Sequence, residues 1–240
     1  MIEGPYPTGM ISHLTGQVNP LIGKSPDSMS IPSNMVRRTS PPGLHLEQAL
    51  WQEGIKFIGG IDEAGRGAWA GPVMAGAVIL PNDSQLRLTL AGVRDSKQMT
   101  PRQREHWALE IKTVALAWSV GTASAAEIDE IGILPANRLA MTRAIRGLSL
   151  TPEYHLFDFI HWKDCPYLGQ RLIKGETQSL SVAAASVLAK TTRDAHMRDL
   201  DGQFPGYEFG RHKGYGTVIH RTAIARLGLS PIHRKSFKIT

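Results

Sequence analysis

Apolar and polar positions along the chain recur with two periods, and each predicts a run of elements. In "LHLEQALWQEG" Leu44, Leu46, Ala49 and Leu50 fall at near-helical spacing and Gly54 ends the run, which predicts a helix. "KFIGGIDEAG" and "PVMAGAVIL" are β-favouring runs separated by a turn over Gly65 to Ala70, the pattern of an antiparallel hairpin. "TPRQREHWALEIKTVA" predicts a helix with Thr100 as N-cap and Pro101 in its first turn. "LAWSVGTAS" predicts a third strand, "PANRLAMTRAIRGL" a helix opened by Pro135 and closed near Gly147, and "YHLFDFI" a strand over 154–160. The Ala-rich "SLSVAAASVLAKTTRDAHMRDL" predicts a helix capped by Ser179 or Ser181, and "RHKGYGTVIHRTAIARLG" a Gly-rich turn followed by a short basic helix. A hairpin first and helices interleaved afterwards imply a mixed-sheet α/β domain with a helical C-terminal extension.

Composition sets the limits of that domain. Residues 1–44 contain 18 Pro, Gly and Ser, which predicts a disordered tail unable to offset its chain entropy by burial, so order is expected to begin near Leu44. The longest apolar stretch, Ala68 to Leu80, is interrupted by Gly71, Pro72 and Gly76 and falls short of the roughly 20 residues of a membrane helix. The N-terminus lacks a basic region followed by an apolar one, so no secretory signal is expected. A single cysteine, Cys165, excludes an intrachain disulfide and a Cys-based zinc site and argues for a reducing compartment. The 9 histidines show neither zinc-finger nor H-E-x-x-H spacing. Charge is uneven: residues 1–189 balance 17 basic against 17 acidic side chains, whereas 190–240 hold 10 against 4. A basic C-terminal segment on a neutral body suits a polyanion-binding surface, or else a solvated basic helix face.

Asp62 and Glu63 lie side by side in an apolar run. Adjacent residues on a strand face opposite ways, so both reach one site only where the strand is finishing or bulged. Two close carboxylates repel unless a cation sits between them, and hard ions such as Mg²⁺ or Mn²⁺ take such oxygen ligands. Alternatively, Asp62 caps the turn and Glu63 is solvated. Asp158, the only acid in "YHLFDFI", costs several kcal/mol if buried unpaired, which places it at a strand edge or against a cation. Glu176, in "KGETQSL", is favoured locally by Lys174 and by the N-terminus of the Ala-rich helix. Together the four acids would suffice to hold two divalent ions about 4 Å apart, the clamp of phosphoryl transfer. Gly65, Arg66 and Gly67 offer backbone N–H groups and a guanidinium suited to phosphate or hydroxyl recognition. Lys97 of "RDSKQM" is either part of a surface turn or a phosphate contact, and Tyr215 of "HKGYGT" either stacks on a sugar or base or packs on its turn. The competing acidic group "EIDEIG", 127–132, reads as a solvated helix start or turn.

Taken in order, "GIDEAGRGAWAGPVMAGAV", "RDSKQMTPRQRE", "EIDEIGILPANRLAM", "KGETQSLSVAAASVLAKTTRDAHM", "GRHKGYGT" and "HRKSF" resemble ribonuclease HII of the type 2 ribonuclease H family, from about residue 44 onward. The resemblance implies a ribonuclease H-like fold with a five-stranded mixed sheet flanked by helices. It implies a catalytic domain over 45–195 and a basic helical region over 196–240 that completes the substrate grip. The implied activity is hydrolysis of the RNA strand of RNA/DNA hybrids and nicking of DNA 5′ to an embedded ribonucleotide, leaving 3′-OH and 5′-phosphate ends, in removal of misincorporated ribonucleotides. Asp62, Glu63 and Asp158 match the family's first three metal ligands, for Mn²⁺ or Mg²⁺. Glu176 stands where the family has the aspartate of K-G-D, and Phe159 where it commonly has glycine. Gly65, Arg66 and Gly67 match the motif that reads the ribose 2′-hydroxyl, Tyr215 the stacking tyrosine and Lys97 a phosphate contact. A cytoplasmic monomer that binds nucleic acid and no membrane is expected. The alternatives are a catalytically weak nucleic-acid-binding protein on the same fold and a metal-dependent phosphatase acting on a small substrate.

Overall fold

The computed structural model describes residues 41–239, so most of the expected tail lies outside the described residues. Helices and strands follow in the order α1 (His45–Gln52), β1 (Ile58–Ala64), β2 (Val73–Ile79), α2 (Leu86–Thr89), α3 (Pro101–Val114), β3 (Ala117–Ala123), α4 (Ala125–Ile131), α5 (Ile133–Arg146), β4 (Tyr154–Asp158), β5 (Gly169–Leu172), α6 (Leu180–Gln203), α7 (Phe209–His212) and α8 (Val218–Leu227). The strands form one sheet in the order β3-β2-β1-β4-β5. The β1–β2 and β2–β3 pairs are antiparallel, β1–β4 and β4–β5 parallel. The fold is therefore the expected five-stranded mixed α/β sheet of ribonuclease H type, with helices on both faces and C-terminal helices beyond it. Among the described residues, no helix is long and apolar enough to cross a membrane.

Strand alternation divides the core. Ile61, Ala75 and Ala77 face α5 and pack with Ala140, Met141 and Ala144, whereas Val78 and Leu80 join Ala184, Val187 and Leu188 of α6 with Ile111 of α3. On the α6 side β1 and β2 present glycines. A Cβ added at Gly60 would lie 2.2 Å from the Ser181 carbonyl carbon, and one at Gly76 2.3 Å from the Ala185 oxygen. Helix α6 thus rests almost on the strand backbones, which explains its alanines: larger side chains would hold it away.

Several local expectations meet a physical correction. Helix α5 begins at Ile133, ahead of Pro135, because first-turn N–H groups have no intrahelical partner and proline there loses no bond. The 154–160 strand stops at Asp158. Ser179, rather than Ser181, caps α6 by accepting from the Val182 N–H. Ser181 instead donates to Glu47 at 2.7 Å, and Ser179 donates to the same oxygen at 2.6 Å, so a buried carboxylate ties α1 to the start of α6. "EIDEIG" is α4, with a Ser124–Glu127 capping box; Glu127 pairs with Arg143, and Asp129 accepts from the backbone of Lys235 and Ser236. Helix α6 runs unbroken from Leu180 to Gln203 and so joins the two expected regions.

Candidate active site

The acids meet because of strand order. Ile61 of β1 pairs in parallel with Phe157 of β4, so the next residues, Asp62 and Asp158, stand side by side at the carboxyl ends of adjacent strands. In parallel α/β sheets that end is where ligands bind. Strand β1 shows no bulge, and its pairing continues through Ala64–Met74. Asp62 therefore faces α6, where the Ser186 hydroxyl, which donates to Ser96, works to lower its pKa, and Glu63 faces α5, where it meets Asn137. The Asp62 Oδ1 accepts the Glu63 N–H at 2.7 Å. Asp158 ends its strand and accepts the Gly175 N–H at 2.8 Å, which brings in the 3₁₀ turn Gly175–Thr177 that carries Glu176. Glu176 lies in this turn, ahead of α6 rather than in its first turn, and the left-handed Lys174 before it (φ 56°) makes the bend.

The electrostatics are those of crowded anions. Burial first, then the charges of Glu63 and Asp158, push the Asp62 carboxyl well above the ordinary range. Burial also raises Glu63, against the opposing pull of Arg66, and raises Glu176 together with the Asp158 charge. Glu63 Oε2 and Glu176 Oε2 are buried without a hydrogen-bond partner. Among the described residues, no three acids or histidines converge into a ready-made metal cage, as expected of like charges that repel without a counter-ion. Arg66 pairs with Glu63 at 3.2 Å, and Lys97 is the cation whose charge interacts with Asp62, Asp158 and Glu176 together. Burial works to lower its pKa, but Asp62, Asp95, Glu176 and Asp158 outweigh it and the net shift is upward. Its turn is fixed by Asp95, whose Oδ1 accepts the Lys97 N–H, and by Arg104, which donates to the Ser96 and Met99 carbonyls and pairs with Asp194.

Eight of the nine sequence-predicted residues line two adjoining clefts. One cleft is lined by Glu63, Gly65, Arg66, Gly67, Lys97 and Tyr215, among others. An adjoining cleft shares Glu63, Arg66 and Lys97 and adds Asp158, Phe159 and Glu176. The ninth, Asp62, is 4% exposed and lines neither cleft, but it adjoins Glu63 on β1 and stands beside Asp158 across the sheet. Phe159 is exposed at the rim, so its side chain displaces none of the acids. Tyr215 lies with its ring 5.6 Å from Lys190 Nζ and 5.5 Å from the Arg193 guanidinium. Its turn is held from inside by histidines: His212 Nδ1 accepts the Gly214 N–H, and His220 Nδ1–H donates to the Tyr215 carbonyl. Burial, followed by the charge of His212, presses His220 down to about 4, so it is neutral at physiological pH. Its free Nε2 then accepts from His233 Nε2–H at 3.0 Å.

Residues missed by sequence reasoning are Asn137, Arg104, Arg193 and Arg234. The first is a fully buried amide beside Glu63, and the last two are fully buried cations. Nothing in local sequence marks an arginine as internal, and "HRKSF" alone offered a signal, as part of a motif.

Comparison with known proteins identifies the family and the fold. The family model for ribonuclease HII matches residues 59–240. A ribonuclease HII of Geobacillus kaustophilus is 50% identical over 194 residues, 81% of this chain and 73% of that protein. One of a Synechococcus species is 48% identical over 202 residues, 84% of this chain and 90% of that protein. Among solved structures, the ribonuclease H2 of Pyrococcus horikoshii superposes with a TM-score of 0.62 at 26% identity, covering 76% of this chain and 94% of that one. A Bst ribonuclease HIII in complex with Mn²⁺, at 19% identity and a TM-score of 0.60, covers 80% of this chain and 70% of that one and shares the fold. With that match extending over most of its length, the chain belongs to the ribonuclease HII family and is a ribonuclease H, an endonuclease of RNA paired with DNA.

Proposed function

We propose that the protein nicks the RNA strand of RNA/DNA hybrids and duplex DNA 5′ to an embedded ribonucleotide, leaving 3′-OH and 5′-phosphate ends, and so removes misincorporated ribonucleotides. The observation that carries this reading is the meeting of three carboxylates, Glu63, Asp158 and Glu176, with the Gly-Arg-Gly turn, Lys97 and Tyr215 along two adjoining clefts that share Glu63, Arg66 and Lys97, with the buried Asp62 next to Glu63 on the same strand. The acids fit divalent cations: they are hard oxygen donors, three of them are raised by burial, and two have buried oxygens with no partner. Asp62, Glu63, Asp158 and Glu176 would hold two such ions, Mn²⁺ or Mg²⁺. These would supply an acidified water and offset charge at the leaving 3′-oxygen.

The remaining residues bind and orient. Lys97 places a cation against the scissile phosphate while its own charge is held by the acids behind it. The Arg66 and Gly67 N–H groups have no partner among the described residues and are free to meet a 2′-hydroxyl, the one group that separates RNA from DNA at a single position. Tyr215, 36% exposed, offers its ring to the sugar or base beside it. The body at 45–195 supplies the acids, and the region 196–240 completes the grip through the Tyr215 turn.

The test is incubation with a duplex bearing one ribonucleotide, with Mn²⁺ or Mg²⁺, and identification of the ends. A nick leaving 5′-phosphate on the ribonucleotide side is expected. Tight binding without a nick under either metal would establish the non-catalytic alternative, and hydrolysis of small phosphomonoesters alone the phosphatase. Tyr215→Ala is expected to lower single-ribonucleotide cleavage by about tenfold, one stacking contact of ~1–3 kcal/mol, with little change in affinity for all-DNA duplex. Equal loss in both measurements would mean that the ring serves only packing.

A further inference from the structure

Arg234 is 0% exposed and, among the described residues, forms no ion pair with a carboxylate. Its guanidinium instead donates to three backbone carbonyls of the turn that carries the Gly-Arg-Gly motif: Nη2 to Gly65 at 2.8 Å, Nη1 to Arg66 at 2.9 Å and Nε to Gly71 at 2.9 Å. Arg193, equally buried, holds the next carbonyls, Pro72 at 2.8 Å and Ala70 at 3.2 Å. Two cations thus sit behind one short loop and engage five of its carbonyl oxygens. Burying guanidinium groups without counter-ions is costly, and burial followed by the charge of Arg193 lowers Arg234 to about 9, still cationic at neutral pH.

The strap carrying Arg234 is itself fixed. His233 pairs with Ala70 in a bridge, and the Arg234 N–H donates to the Trp69 carbonyl at 2.8 Å. Beyond it, Asp129 accepts the Lys235 and Ser236 N–H groups at 3.0 and 2.8 Å. Peptide planarity then dictates the other side of the loop. In a trans peptide the carbonyl of one residue and the N–H of the next point in opposite directions. With the Gly65 and Arg66 carbonyls turned to Arg234, the Arg66 and Gly67 N–H groups are turned away from it, toward the groove they line.

We infer that Arg234 is a positioning residue for ribose recognition: it grips the loop from behind and so aims the Arg66 and Gly67 amides as a donor pair at the 2′-hydroxyl. The inference rests on the proposed reading of Gly65, Arg66 and Gly67. Lysine cannot replace it, because a single ammonium does not span three carbonyls in a planar fork.

The experiment compares affinities, by fluorescence anisotropy in Ca²⁺ buffer, for two DNA duplexes identical except for one 2′-hydroxyl. Wild type is expected to prefer the ribonucleotide duplex. Arg234→Ala is expected to lower that preference by about tenfold, ~1.4 kcal/mol, while affinity for the all-DNA duplex is kept. Ethylguanidinium, but not ethylammonium, should restore the preference. Should Arg234→Ala fail to fold by circular dichroism, Arg234→Lys is measured in the same way, with the same loss expected. A retained preference in either folded variant overturns the inference, as does an equal fall in affinity for both duplexes. Absence of preference in wild type would instead overturn the 2′-hydroxyl reading itself, and the inference with it.

Discussion

Asp62→Asn abolishes cleavage, by at least about 10³-fold or ~4 kcal/mol of barrier, and leaves the metal-free protein as stable as wild type or more so. Both halves of this expected result come from the same environment. Asp62 is buried at the end of β1, with Glu63 adjacent and Asp158 beside it on β4. Burial, then those two charges, raise its folded-state pKa well above the 3.8 of a free aspartate. The sign follows from linkage. Between the unfolded and the raised folded pKa the native state binds a proton that the unfolded chain does not, so stability declines as pH rises through that window. Ionising the buried carboxyl therefore opposes folding, and asparagine removes that cost while keeping the shape. Divalent cations should reverse the order, since a ligand that binds only the native state stabilises it, and wild type would gain more than the variant. Nicking rates with Mn²⁺ and Mg²⁺ and thermal melts from pH 5 to 8, with and without metal, make the check. A variant that cleaves at the wild-type rate, or melts well below wild type without metal, would refute the assignment.

Gly60→Ala should be among the most destabilising single substitutions in the chain although it adds only a methyl group. Its Cβ would lie 2.2 Å from the Ser181 carbonyl carbon and 2.5 Å from both the Ser181 oxygen and the Val182 nitrogen. These are backbone atoms of α6, so no rotamer change gives relief, and the helix must leave the sheet. Loss of about 3 kcal/mol or more is expected from overpacking of this kind. Activity should fall as well, because β1 carries Asp62 on the face that α6 covers. Gly67→Ala is the control: no atom lies within 4 Å of its added Cβ, so urea denaturation should find that fold intact. If Gly60→Ala shows the same urea midpoint as wild type, the close contact of α6 with β1 is not present in solution.

How much of this was legible beforehand depended on range. Thr100 caps α3 and Ser179 caps α6 through bonds to residues three positions on, so their signals are local and readable. The hairpin of β1 and β2 was equally plain. Strand β5 was not. "GQRL" has no apolar alternation, three of its four residues are exposed, and it exists through parallel backbone bonds to β4. Glu47 reads as a solvated helix acid, yet it is buried against hydroxyls 132 and 134 residues away. The basic C-terminal segment was visible as composition, but two of its arginines are internal, and Arg198 and Arg211 pair with Glu105 and Glu208.

By itself, the sequence determined most element types, the caps of α3 and α6 and a set of candidate side chains, because periodicity, capping and residue chemistry operate within a few positions. Tertiary structure alone decided which of those groups face one another. Asp62 meets Asp158 only because β4 pairs in parallel with β1, and the Arg66 and Gly67 amides face the groove only because Arg234, 168 residues from Arg66, holds the carbonyls behind them. Strand order and burial arise from the chain as a whole, and no local pattern encodes them.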